Sequence, residues 1–134
     1  MTQRRALVVD DEAHITHVVT LKLRNAGFEV LTAGDGEEAY EIACAHLPDI
    51  IVTDLQMPYM SGLELCEKLR QNPATADIPA ILVTARGHAL SQADLARTSI
   101  REVMSKPFSP REVLAKVHRL LGIEAPEARE GEAA

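Results

Sequence analysis

No stretch of this chain comes near the roughly 20 apolar residues needed to cross a bilayer. Cysteine is scarce: Cys44 and Cys66 are the only two in 134 residues, and they form no C-x-x-C pair. Both fall within apolar helical stripes, so they read as reduced core thiols, not as a disulfide or a metal site. Positive charge is in deficit, with 14 Lys and Arg against 20 Asp and Glu and a net charge of −6. That argues against broad electrostatic attachment to DNA or RNA while leaving room for a small basic patch. No signal peptide is expected from the pattern at the start. Met1 to Arg5 leads straight into a strand-length run, with no long apolar region and no small-residue cleavage site. The expectation is a cytoplasmic chain with no membrane contact.

What is present is the composition of an ordinary globule, 46% hydrophobic and 25% charged, at a length suited to one domain with a real core. Apolar periodicity alternates between strand-like runs and helix-like stripes. Strands are predicted at 5–10, 28–32, 49–53, 80–84 and 101–105. Helices are predicted at 12–26, from the Asp35/Glu38 capping box to about 45, from the Ser61/Glu64 box to about 71, at 88–97 with few large apolar residues, and at 110–121. Ser109, Pro110 and Glu112 supply an N-cap, a first-turn proline and a third-position acid for the last helix. Residues 123–134 are acidic and stripe-free, and are expected to be a flexible tail or linker stub after a domain at 1–122.

Five strands alternating with five helices predict an α/β fold, a doubly wound parallel sheet. The runs at 5–10, 50–53 and 80–83 are nearly all apolar, as central strands are. The runs at 28–32 and 101–105 carry Glu29, Thr32, Glu102 and Ser105, as edges do. Order 2-1-3-4-5 satisfies both, and right-handed crossovers then place the first and last helices on one face.

Polar residues stand at the carboxyl ends of four of these strands: Asp10 and Asp11, Asp54, Thr84 and Lys106. A parallel sheet delivers those ends to one edge, where ligands bind. Adjacent acids are otherwise explained as helix caps, and Thr84 or Lys106 alone as surface groups. Together they are a chemical set. Three close carboxylates repel unless a cation compensates. Mg²⁺ does so with one or two carboxylates, a carbonyl and waters, leaving positions for phosphoryl oxygens. A carboxylate can then act as a nucleophile, with ammonium and hydroxyl neutralising the transferred group.

A decoy competes. Gly34-Asp35-Gly36-Glu37-Glu38-Ala39 follows a strand, opens a helix and matches G-x-G-x-x-A, with Asp54 twenty residues on (54 − 34) as the ribose acid. Yet Asp35, Glu37 and Glu38 would face a pyrophosphate that needs a bare helix N-terminus. The pattern fits a turn before an acid-capped helix.

Val8-Val9-Asp10-Asp11, Asp54 with Met57-Pro58 and Gly62, Thr84-Ala85, and Lys106-Pro107-Phe108 resemble the receiver domains of two-component response regulators, over about residues 4–121. The resemblance implies the flavodoxin-like receiver fold, single-domain and chemotaxis-regulator-like. It implies Asp54 as phosphoryl acceptor and Mg²⁺ as cofactor. Asp11 and Asp54 would hold the metal directly, Asp10 through water, and Gln56 by its backbone carbonyl. Lys106 would pair with Asp54 and then with a phosphoryl oxygen. The Thr84 hydroxyl and the Ala85 amide would hold other oxygens. Lys106-Pro107 is expected cis.

By the same resemblance, the phosphoryl donor would be a phosphohistidine on a sensor histidine kinase or a histidine phosphotransfer protein. The chain would be a switch that catalyses its own phosphorylation and dephosphorylation, not an enzyme on external substrates. Output would pass through protein contacts on the 86–122 face, without direct nucleic-acid binding, from a monomer or weak dimer. The family often has an aromatic residue three positions before the lysine; here Val103 occupies it, so movement of Thr84 is expected to be relayed some other way. Gln56 and Arg86 occupy positions that tune dephosphorylation in the family.

Two competing readings share these residues: a scaffold of the same fold that is never phosphorylated, and a carboxylate-nucleophile phosphatase of the haloacid-dehalogenase type. The latter uses D-x-D after the first strand and a cap domain, neither of which is seen. His14 and His17 could bind a metal, but a solvated helix face explains them. His46, His88 and His118 are isolated. Tyr59 and Met60, in the loop after Asp54, are either partner contacts or a shield for the pocket.

Overall fold

The computed structural model describes residues 3–85 and 90–123. Strands and helices alternate as β1 (Arg5–Val9), α1 (Ala13–Asn25), β2 (Glu29–Ala33), α2 (Gly36–His46), β3 (Ile50–Asp54), α3 (Gly62–Gln71), β4 (Ala80–Thr84), α4 (Gln92–Ala96), β5 (Ile100–Ser105) and α5 (Pro110–Leu121). The sheet is parallel throughout, in the order β2-β1-β3-β4-β5. The polar-marked strands are the edges. β3 and β4 are buried at every position, and β1 at all but Arg5.

Alternate residues of each strand feed two cores. Ala6, Val8, Ile50, Val52, Ile81 and Val83 pack with Val19 and Leu23 of α1 and Val113, Leu114 and Val117 of α5. Leu7, Val9, Ile51 and Leu82 pack on the other face with Ala39 and Ala43 of α2 and Leu65, Cys66 and Leu69 of α3. So α1 and α5 share a face, as the crossover rule demands. Cys66 is buried and Cys44 half-buried, and neither forms a disulfide. Burial, with the Glu67 charge adding to it, pushes the Cys66 thiol up to about 12.

Helix starts follow the local chemistry. Ser61/Glu64 and Ser109/Glu112 form reciprocal capping boxes. At α2 only half the expected box forms. Asp35 accepts from the Glu38 amide, but the Glu38 carboxylate reaches back to the Gly34 amide at 2.8 Å instead of to Asp35. The helix expected over 88–97 contracts to Gln92–Ala96, opened by an unforeseen Ser91/Asp94 box. Its sparse apolar residues give it no buried side chain. His14 and His17 are exposed, as expected for a solvated helix face, and His46 is exposed too. His118 is instead buried, its ring 5.8 Å from that of Phe28. Arg86, His88 and the acidic tail from 124 onward lie outside the described residues.

Candidate functional site

The carboxyl ends of β1, β3, β4 and β5 meet at one rim. β1 ends at Val9, so Asp10 and Asp11 leave the sheet together. Asp54 is the last residue of β3, and Thr84 the last of β4, in register with Ser105. The Lys106 amide donates to the Thr84 carbonyl at 2.8 Å, which fixes the start of the β5–α5 loop. The Lys106–Pro107 bond is cis, as expected.

Three carboxylates converge: Asp10, Asp11 and Asp54 each present an oxygen within 4.8 Å of the others. Asp10 and Asp54 are buried while Asp11 is exposed. The Lys106 Nζ stands 3.4 Å from Asp54 Oδ1, 3.8 Å from Asp10 Oδ2 and 3.5 Å from Glu12 Oε1. Glu12 is the member the sequence reading missed. Its signal was there, a third acid in the run Asp10-Asp11-Glu12, but an exposed residue before a helix reads as surface. Its amide also donates to Asp10 Oδ1 at 2.9 Å, holding that carboxylate in place.

The electrostatics follow from burial and crowding. Asp10 is raised to about 6, chiefly by desolvation, against the Glu12 amide bond, with Asp54 repelling it further. Asp54 is also raised by desolvation, against the pull of Lys106. Burial alone would lower Lys106, but the charges of Asp10 and Asp54 outweigh it and raise the amine. Lys106 is one ammonium against four nearby carboxylates, counting Glu12. Such a cluster of hard oxygen donors, undercompensated by protein charge, suits a hard divalent cation.

The remaining predicted residues surround this centre. Gln56 lines a cavity with Asp11 and Met57. Thr84 is fully buried, and its hydroxyl donates to the Ala85 carbonyl at 2.9 Å. Ala85 is exposed and shares a groove with Lys106 and Phe108. Gly62 has a steric reason. A Cβ there would lie 2.2 Å from the Asp54 carbonyl oxygen, because the Gly62 amide closes the β3–α3 loop onto the Leu55 carbonyl at 2.8 Å. Tyr59, at φ +69°, stands fully in solvent, and Met60 packs against Gly36. So Tyr59 does not cover the pocket. Val103, at the position often aromatic in receivers, is 40% exposed.

The family model of the response regulator receiver domain matches residues 6–118. Among curated proteins, the alkaline phosphatase synthesis transcriptional regulatory protein PhoP of Bacillus subtilis is 38% identical over 118 residues, 88% of this chain and 48% of its own length. The phosphate regulon transcriptional regulatory protein PhoB of Pseudomonas aeruginosa is 35% identical, over 90% of this chain and 53% of its own. The chain thus spans about half the length of these relatives. Among solved structures, a putative response regulator from Chloroflexus aurantiacus superposes with a TM-score of 0.81 at 32% identity, covering 90% of this chain and 99% of that one. The chemotaxis response regulator CheY4 of Vibrio cholerae gives 0.80 at 30%, covering 88% and 98%. Fold, rim and sequence agree: the chain belongs to the response regulator receiver family.

Proposed function

We propose that this receiver takes a phosphoryl group from a partner phosphohistidine onto Asp54 and signals through protein contacts. The observation that carries the proposal is the buried Asp54 carboxylate, 3.4 Å from Lys106 and clustered with Asp10 and Asp11. Asp11 and Asp54 would hold magnesium directly, Asp10 through water, and Gln56 by its carbonyl. When bound, the ion supplies the positive charge that these carboxylates and a phosphoryl group together require.

An Asp54 oxygen attacks phosphorus and forms an O–P bond. The N–P bond of the phosphohistidine breaks and its electron pair stays on that nitrogen; the other ring nitrogen carries a proton, so the imidazole leaves as the neutral ring. Lys106 pairs with Asp54 before transfer and with a phosphoryl oxygen after it. The Thr84 hydroxyl turns from the Ala85 carbonyl to another oxygen, beside the Ala85 amide. Attack by water on phosphorus later releases phosphate and restores the carboxylate, so the chain resets itself.

The donor in this scheme is a sensor histidine kinase or a histidine phosphotransfer protein. The output surface is the 86–122 face, where no residue of α4 is fully buried and Val103 of β5 is open. With Val103 in place of an aromatic, the Thr84 movement is relayed by α4 rather than by a rotating ring. A net charge of −6 argues against direct nucleic-acid contact by these residues. An output in transcriptional regulation, as the names of PhoP and PhoB state for them, is compatible with the module.

The test is transfer from a phosphohistidine-bearing protein, with magnesium or with EDTA. One acid- and base-labile phosphoryl group is expected on this chain with magnesium, and almost none with EDTA. Equal transfer in EDTA would remove the metal from the scheme; no transfer from a panel of active donors would remove the phosphohistidine.

A further inference from the structure

Glu12 serves neither the proposed ligand set nor its own helix. It stands at the N-cap of α1, where a polar side chain ordinarily accepts a bond from an amide of the first turn. The side chains of Asp35, Ser61, Ser91 and Ser109 do so for α2, α3, α4 and α5. The Glu12 side chain makes no such bond, and the first turn of α1 contains no acid. Its carboxylate is turned instead to Lys106, 3.5 Å from Nζ.

That contact differs from the other two the amine makes. Asp54 and Asp10, 3.4 and 3.8 Å from Nζ, are buried, whereas the Glu12 side chain is 63% exposed. The ammonium is thus held from the buried side by groups of the phosphoryl site and from the solvent side by a group outside it. Charge balance does not call for Glu12, since a fourth carboxylate adds to the repulsion among Asp10, Asp11 and Asp54. Its effect falls on where the amine stands.

We infer that Glu12 is a positioning residue for Lys106, holding its ammonium toward the solvent side of the rim, where the oxygens of an arriving phosphoryl group are met. The inference rests on Asp54 as the acceptor. Asp54 needs its attacking oxygen free of the amine, and the amine must pass from Asp54 to a phosphoryl oxygen. A partner outside that pair keeps Lys106 within reach during the exchange. Asp10, Asp11 and Asp54 would share their charge with a cation once they ligate it, and Glu12, which is not among them, keeps its pull on the amine.

Two variants separate this role from a structural one. Glu12→Gln keeps the length and removes the charge. Glu12→Asp keeps the charge on a side chain shorter by about 1.5 Å, which is suited to capping α1 and ill suited to reaching Lys106. A capping role predicts that Glu12→Asp matches the wild type in stability and in rate. Positioning predicts a denaturation midpoint no lower than that of the wild type but slower transfer. With acetyl phosphate and magnesium, the maximal rate of phosphorylation, read by intact mass, should fall about threefold in both variants. The acetyl phosphate concentration for half-maximal rate should not rise. With magnesium but no phosphoryl donor, the Lys106 ammonium, followed by ¹⁵N NMR, should exchange with water faster in both variants than in the wild type. A wild-type maximal rate in either variant, a change confined to the half-maximal concentration, or unchanged ammonium exchange would each overturn the proposal and leave Asp54 as the acceptor. A wild type that gains no phosphoryl group would overturn the acceptor reading and this one with it.

Discussion

The two faces of the sheet are built from different materials. Against α1 and α5 the core is bulky: Val8, Val52, Ile81, Val83, Leu23, Val113, Leu114 and Val117 fill it. Against α2 and α3 large residues such as Leu7, Ile51, Leu65, Leu69 and Leu82 alternate with small ones, Ala33, Ala39, Ala43, Cys66 and Ala80, and Gly36 and Gly62 lie where chain segments nearly touch. One face is filled by side-chain volume throughout, while the other combines volume with places of close approach. A bulky core suffers when atoms are removed, and a close-approach core suffers when atoms are added. α4 is attached more lightly: none of its residues is fully buried, Leu95 packs half-buried on the core, and Arg97 ties it by ion pairs to Glu67 of α3 and to its own Asp94.

Substitutions that invert each face should break this contrast or sharpen it. Leu114→Ala, at 1% exposure, should cost about 2–5 kcal/mol, read as a fall in the denaturation midpoint. A cost below about 1 kcal/mol would mean that the bulky face collapses readily around a cavity. Gly62→Ala adds a single methyl against the Asp54 carbonyl oxygen and should cost about 3 kcal/mol, with amide shifts centred on the β3–α3 loop. A neutral result would show that the approach there is slack.

The rim between the faces gives a third test. Asp10 sits at about 6 in the fold against the 3.8 of an ordinary aspartate, so between those values the native state holds more protons than the unfolded chain. Its stabilising effect is complete below about pH 4 and is lost as pH rises through about 6. Without metal, Asp10→Asn should therefore stabilise the protein at pH 7.5 by on the order of 2 kcal/mol and leave it nearly unchanged at pH 4. Denaturation in EDTA at both pH values checks this. Magnesium affinity should fall below pH 6 for the same reason, because protons compete for the ligand.

The smallest effect is expected at α4. Arg97→Ala should leave the global midpoint where it is, since exposed ion pairs contribute little, while amide exchange in α4 accelerates. Unchanged exchange would show that something other than Arg97 holds the helix.

How legible each region was in the sequence follows the same division. β1, β3 and β4 could be read because uninterrupted apolar runs have few other fates, and β2 and β5 because polar residues mark edges. The site was legible because a parallel sheet brings strand ends together whatever their separation in the chain. α4 was misjudged in length because its boundary is set by the Ser91/Asp94 box, with little apolar pattern to announce it. Glu12 was passed over because its partner Lys106 is ninety-four residues away (106 − 12) and no local period links them. The burial of His118 was equally hidden, since one polar ring on an inner stripe looks like surface until Phe28 is placed beside it.

The most direct test of the central claim is the mass of the intact chain after incubation with acetyl phosphate and magnesium, wild type beside Asp54→Ala. The wild type should gain one labile phosphoryl group and the variant none. An equal gain on both proteins, or none on a folded, magnesium-binding wild type, would contradict Asp54 as the acceptor.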